Sequence, residues 1–499
     1  MTTKHVTGLI TGLIFFLTII LFVELDSSKP EITKMAAVAV LMATLWITEA
    51  IPLAATALVP LILFPLLSLL PGEEIAGAYI NSVIFLFLGG FLIAIAMETW
   101  GLHKRIALKI ISVFGGTPNS IIIGFMLAAA FLSMWISNTA TAVMMLPIAL
   151  SIIIKLEDQF GKEKTSNFSK SLLLSIAYAC SLGGLSTLIG TPPNLALVRI
   201  YKIIYPGAPE ISFGSWMILS IPIALLMLGF SAVLIIKIFF KVDKSLRIEK
   251  EFIAEEYKKL GPPSFQEKAI GVIFISTALL WIFRTDLNFG FLLIRGWSSL
   301  FSVPYYIDDG TIAVTMAFIL FLIPSKDKKN KRTILDFNSF EKVPWSIILL
   351  FGGGFALASG FSNSGLSSYI GSHLSSFSHL SPVLIILFAA FIMNFLTELT
   401  SNTATTQMIL PILAAVSAAI GIHPLLLMIT ATLSASMAFM LPVATPPNTI
   451  IFASRRIKVF DMVKAGFTLN IVGVIVVTVL VYLLGSYIFD LSVFPDWAK

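Results

Sequence analysis

Ser137-Asn138-Thr139-Ala140 returns 264 residues later as Ser401-Asn402-Thr403-Ala404, and the proline that follows each copy, Pro147 and Pro411, keeps that interval. Gly89-Gly90-Phe91 falls on Gly353-Gly354-Phe355 and Gly101-Leu102 on Gly365-Leu366 at the same displacement of 264. Thr191-Pro192-Pro193-Asn194 returns as Thr445-Pro446-Pro447-Asn448 after 254, so two halves share one plan and differ by a ten-residue loop. Polar residues, glycines and prolines repeated in register inside apolar sequence point to a transporter assembled from repeats with interrupted helices.

Composition sets the solvent. With 57% hydrophobic and only 12% charged residues, the 499-residue chain has more apolar surface than a soluble domain could hide, and it belongs in a bilayer. Lone Cys180 excludes a disulfide framework and reads as a packing residue in an apolar run. Segments able to span about 30 Å of hydrocarbon lie at 7–24, 33–49, 52–70, 79–102, 171–198, 214–236, 269–286, 310–324, 345–366, 425–454 and 466–489. The first lacks a small-residue cleavage site and reads as an uncleaved helix. Two runs, 119–154 and 382–420, are not simple spans. As one helix the first would reach about 54 Å, and basic residues flank it on both sides, from Lys104, Arg105 and Lys109 to Lys155, Lys162, Lys164 and Lys170. It therefore enters and returns from the same side, with Ser137-Asn138-Thr139 at the tip of a re-entrant hairpin.

With the amino terminus inside, 26 lysines and arginines fall on cytoplasmic segments, including the run from Lys326 to Arg332, and 7 fall outside: Lys29, Lys34, Arg199, Lys202, Arg284, Arg295 and Lys499. That bias follows the positive-inside rule, makes the basic balance a matter of topology rather than nucleic-acid binding, and puts the carboxyl terminus outside. The flanks of 382–420 carry no lysine or arginine, so this hairpin enters from outside. Five crossings and one hairpin per repeat invert the second repeat relative to the first. The expected fold is an all-α polytopic membrane protein: about eleven transmembrane helices, two re-entrant hairpins and two inverted repeats. Its divisions are a first helix (1–32), repeat 1 (33–240, with inner hairpin 119–154 and broken helix 171–198), a cytoplasmic linker (241–268) and repeat 2 (269–489, with outer hairpin 382–420 and broken helix 425–454).

Backbone that stops being helical at membrane depth leaves N–H and C=O groups that protein, water or a ligand must satisfy. At Ser137-Asn138-Thr139 a new half-helix begins with good capping residues, and its free N–H donors and positive dipole end suit a carboxylate. Asn402 and Thr403 offer a second such cradle, so an anion with two negative groups fits. Ser133 lies one turn before Ser137 and Thr397 one turn before Ser401, stacking hydroxyls on one face. With the carbonyls freed near Gly190 and Ala444 by the Pro-Pro pairs, these are hard neutral oxygens, better suited to sodium than to calcium. No Lys, Arg or His occurs in 119–154 or 171–198, and only His423 in 382–454, so co-bound cations are the natural counter-charge for a dianion at the midplane.

The acids well inside apolar runs are Glu49, Glu98 and Glu398. The first two read as helix-end or interfacial residues; Glu398 is either a coupling residue or a carboxylate that braces the hairpin. His103 and His423 sit beside loops and read as solvated, and the repeated glycine pairs read as close-packing positions.

The paired Ser-Asn-Thr tips, the paired Thr-Pro-Pro-Asn loops and the stretch Ala435-Ser436-Met437-Ala438-Phe439-Met440-Leu441-Pro442-Val443-Ala444-Thr445-Pro446-Pro447-Asn448 resemble the divalent anion:sodium symporters over nearly the whole chain. The resemblance implies a homodimer in which a mobile transport domain works as an elevator against a scaffold. It implies sodium sites at Ser133, Ser137, Asn138 and Gly190 and at Thr397, Ser401, Asn402 and Ala444, with substrate carboxylates meeting Asn138, Thr139, Thr191, Asn402, Thr403, Thr445 and Pro446. Exchangers of the family carry basic groups at the cation sites; none is present here, which favours symport. Ile451 stands where the family signature often has valine. The expected function is sodium-coupled uptake of C4 dicarboxylates (succinate, malate, fumarate) across the cell membrane, without a cofactor other than the coupling ion. Sulfate or citrate transport, or dicarboxylate exchange, are the alternatives within the family. A channel would need a continuous pore, and an enzyme is disfavoured because no Gly-x-Ser-x-Gly, His-Glu-x-x-His or paired membrane aspartates occur.

Overall fold

The computed structural model describes residues 3–114, 116–243, 245–246, 250–288, 292–326, 333–374 and 379–498. Most of the basic run 326–332, together with Lys244, Arg247 and Lys499, lies outside the described residues. Helices dominate: α1 (Thr3–Phe22), α2 (Pro30–Thr48), the short α3 (Leu53–Thr56) and α4 (Val59–Leu66), α5 (Gly72–Tyr79), α6 (Ser82–Thr99), α7 (Leu102–Val113), α8 (Pro118–Ser133), α9 (Asn138–Phe160), α10 (Lys162–Gly184), α11 (Pro192–Ile204) and α12 (Phe213–Val233) make the first half. The second half has α13 (Lys250–Lys259), α14 (Phe265–Ile282), α15 (Asp309–Leu322), α16 (Trp345–Ser364), α17 (Leu366–Leu374), α18 (Pro382–Leu396), α19 (Asn402–Ile420), α20 (Pro424–Ala435), α21 (Pro446–Phe452), α22 (Val459–Leu480) and α23 (Ser486–Phe489). A two-residue ribbon pairs Leu287–Asn288 with Leu293–Ile294. Among the described residues, nine helical stretches are long and apolar enough to cross a membrane, and the molecule is a multi-pass membrane protein.

Local chemistry recurs with the sequence. Thr117 caps α8 by accepting the Ser120 N–H at 3.2 Å, and Ser381, 264 residues on, caps α18 by accepting that of Leu384 at 3.3 Å; a proline follows each cap. Gly101 and Gly365 turn the chain between α6 and α7 and between α16 and α17 at φ of 77° and 81°, a region closed to most side chains. Both closing helices end in a π-helical turn, Leu234–Phe239 and Val481–Gly485. Gly89 presses α6 onto the backbone of Ala313, where a Cβ would stand 2.5 Å away, and Gly353 presses α16 onto Ala57 at 2.6 Å. Small residues at a helix crossing let backbones approach, which is how membrane helices gain packing energy without water.

The structure departs from the expected segments at several points. The span 52–70 is interrupted between Thr56 and Val59. The linker 241–268 contains α13 and the start of α14, and α2 already begins at Pro30, inside the first division. Helices α7, α13 and α17 are too short to span and escaped a reading based on long apolar runs. At the centre lie α10 and α20, buried along nearly all their apolar length, each ending abruptly in an unwound loop.

Candidate functional site

At the tip of the first hairpin Ser137 precedes α9, and its hydroxyl accepts the Ala140 N–H at 3.1 Å. Ser133, fully buried, bonds through Oγ to Asn138 Oδ1. Asn138 in turn faces the unwound loop after α10: a methyl on Gly184 would lie 2.7 Å from Asn138 Oδ1 and 3.1 Å from Gly190 O. Ser133, Asn138 and Gly190 are therefore brought together.

The second hairpin repeats this geometry. Thr397, also fully buried, sets its Oγ 2.6 Å from Asn402 Oδ1 and 2.8 Å from Ala435 O. A hydroxyl owns one hydrogen, so it donates to one of those acceptors at a time, and the Thr397, Asn402 and Ala435 oxygens gather as neutral, hard groups. A hard cation satisfies such a set. Ser401 heads α19 without a side-chain cap bond. Ala444 donates its N–H to Leu441 O at 3.2 Å and joins the tip through Glu398.

Glu398 is buried at 3% exposure and accepts the N–H groups of Phe439 (2.7 Å), Met440 (2.9 Å) and Leu441 (3.0 Å) and the Asn470 side-chain amide (2.7 Å). It braces the hairpin on the unwound loop. The first repeat makes the same link, again with the loop donating to the hairpin, but with side chain and backbone exchanged. Met134 stands 264 residues before Glu398 and Thr187 stands 254 before Leu441; there the Thr187 side chain donates to the Met134 carbonyl.

Each Thr-Pro-Pro-Asn asparagine reaches back into its own loop. Asn194 Nδ2 donates to the carbonyls of Gly184, Leu185 and Thr187 (3.3, 3.3 and 2.7 Å), and Asn448 Nδ2 to those of Ala438 and Leu441 (3.2 and 3.1 Å). Thr191 heads α11 and Thr445 heads α21, both buried, with the Thr445 hydroxyl accepting the Asn448 N–H at 3.4 Å. Helices cross-pair between the repeats: α9 packs on α21 and α19 on α11. Thr139 and Pro446 are exposed in the first turns of one pair, whereas Thr403 and Thr191 are buried at the head of the other.

Thr187, Gly184, Asn394 and Asn470 were not foreseen. Asn394 donates to Met437 O at 2.8 Å and ties α18 to the loop. The lone amide Asn470 in an otherwise apolar span was the available signal, since such groups face a bundle interior. His423 is not solvated: it is 5% exposed, accepts the Leu425 N–H at 3.2 Å and meets Trp497 edge-on, and burial pushes its pKa down to about 4. His103 is half-buried, its Nδ1 3.0 Å from Met97 O.

Residues 3–491 match the profile of the sodium:sulfate symporter transmembrane region. Among known proteins the chain is similar to the sodium-dependent dicarboxylate transporter SdcS of Staphylococcus aureus (strain MRSA252), 43% identical over 96% of this chain and 91% of that protein. Its counterpart of the same name in Staphylococcus saprophyticus is 43% identical over the same shares. Among solved structures it is similar in fold to Neisseria gonorrhoeae MtrF (TM-score 0.54, 13% identity, 82% of this chain and 81% of that one) and to the Alcanivorax borkumensis YdaH transporter (TM-score 0.53, 12% identity, 81% and 85%).

Proposed function

Because the chain belongs to the sodium:sulfate symporter family, we propose that it carries C4 dicarboxylates such as succinate, malate or fumarate into the cell, driven by sodium. The observation that carries this reading is the oxygen surplus at Thr397, Asn402 and Ala435, echoed at Ser133, Asn138 and Gly190. Neutral oxygens gathered at membrane depth, in segments free of lysine and arginine, suit a monovalent cation.

Sodium is held at Ser133, Ser137, Asn138 and Gly190 and at Thr397, Ser401, Asn402 and Ala444. The substrate carboxylates meet Asn138, Thr139, Thr191, Asn402, Thr403, Thr445 and Pro446, at helix N-termini whose free N–H groups and dipoles favour anions. The two bound cations supply the positive charge that no side chain does, so a dianion enters a neutralised site only after sodium. Hairpins, broken helices, α12 and α22 pack on one another, which supports an elevator in which they move together against the remaining helices as scaffold. Two chains pair through their scaffolds in the cell membrane, amino termini inside and carboxyl termini outside.

The test is labelled succinate uptake into proteoliposomes at fixed pH. An inward sodium gradient drives accumulation above equilibrium, and unlabelled malate and fumarate compete while sulfate and citrate compete weakly. Equal uptake with sodium replaced by potassium or choline refutes the coupling; strong competition by sulfate or citrate refutes the substrate class.

A further inference from the structure

Gly183 and Gly184 end α10 side by side, yet they face different things. A Cβ on Gly183 would strike the Ala130 backbone at 2.2 Å, so Gly183 lets α10 lie against α8. Gly184 instead meets the side chain that opens α9 and the carbonyl of its own loop. Its Cβ would enter the space between the Asn138 amide (Oδ1 2.7 Å, Nδ2 3.1 Å) and Gly190 O (3.1 Å), whose two oxygens belong to the first cation cradle. The position in the second repeat, 254 residues on, is Ala438, which carries that methyl, while Asn448 holds the Ala438 carbonyl as Asn194 holds that of Gly184. The frame of the two loops is alike; the space inside them is not.

We propose that Gly184 sets the size of ion the first cradle accepts, its missing methyl leaving the room that sodium needs and lithium does not. The inference rests on the cation site described above. Selectivity among hard cations follows cavity size and ligand reach. Gly184 has no left-handed φ, so an alanine there strains no backbone dihedral, and the added methyl must push the end of the Asn138 side chain away and crowd the Gly190 carbonyl. The distance from Asn138 Oδ1 to a large ion then suffers more than that to a small one.

Thermal stabilisation of the purified full-length protein by sodium and by lithium, read beside sodium- and lithium-driven succinate uptake, tests this. In Gly184→Ala the half-saturating sodium concentration rises about tenfold more than that for lithium. Ala438→Gly, which only removes a methyl, moves the lithium-to-sodium preference the other way. An equal shift for both ions in folded Gly184→Ala overturns the proposal; so does an unchanged ratio in Ala438→Gly should Gly184→Ala fail to fold. Ser133→Ala separates this from the site itself: it weakens both ions if the cradle is where we place it, and leaving both unaffected refutes the cradle whatever Gly184 does.

Discussion

Thr397 has one hydrogen and two acceptors within 2.8 Å, and that small surplus is the site's chemistry at the scale of a residue. Thr397→Ala removes a neutral ligand and leaves the anion cradle, so half-saturating sodium for uptake rises while substrate affinity at saturating sodium stays near wild type; a change confined to the substrate constant assigns Thr397 to the wrong ligand. Thr403→Val keeps the volume of a buried residue and deletes the hydroxyl proposed to meet a substrate carboxylate. Loss of a hydrogen bond to a charged partner costs roughly 1.5–3 kcal/mol, so succinate binds about ten- to hundredfold more weakly, measured by uptake at saturating sodium. Wild-type affinity in the folded Thr403→Val protein removes the second cradle from the substrate path.

At the scale of elements, each hairpin is latched to its own unwound loop. Thr187 to Met134 is a single bond between side chain and carbonyl, whereas Glu398 collects three consecutive loop N–H groups and an amide. Removing that carboxylate leaves buried donors unpaired, at about 1–3 kcal/mol each. Glu398→Met, the residue of the first repeat, therefore lowers the melting temperature in detergent and raises half-saturating sodium, and Glu398→Gln, which keeps one acceptor oxygen, does so less. Glu398→Met with unaltered stability and sodium dependence would show that the brace is dispensable. The sequence reading left Glu398 between coupling and bracing because its partners lie 41 to 72 residues away, and no local spacing records them.

Over the whole molecule the pseudo-symmetry breaks at the mouth of the site. Trp135 and Ile189 are covered, the former by Phe213 and Phe274 and the latter by Gly90, whereas their counterparts Leu399 and Val443 are 72% and 78% exposed. The tip of the first hairpin is thus packed where that of the second is exposed. Charged contacts join segments that the charge bias assigns to one and the same side: Glu157 meets Arg456 and Lys170 meets Asp461, and Arg284 meets Glu210 and Asp309. In a Cys180→Ser background, a cysteine at His379 is labelled by an impermeant thiol reagent in intact cells and one at Lys162 is protected. Labelling of Lys162→Cys from outside removes the inner hairpin and the inversion of the repeats.

Composition, the long apolar runs and the duplicated Ser-Asn-Thr and Thr-Pro-Pro-Asn motifs determined the solvent, the two-part plan and the places where helices stop, because burial in lipid and the loss of a helical N–H at proline act on a residue and its near neighbours. Caps and turns such as Thr117, Ser381, Gly101 and Gly365 are local in the same way. Only the tertiary structure decided that Gly183 packs a helix while Gly184 borders Asn138 and Gly190, that Glu398 meets a loop, that His423 is buried against Trp497, and that the latches exchange side chain and backbone between repeats. Each depends on which segments meet across tens to hundreds of residues, and the same side chain packs, braces or binds according to what the fold sets opposite it.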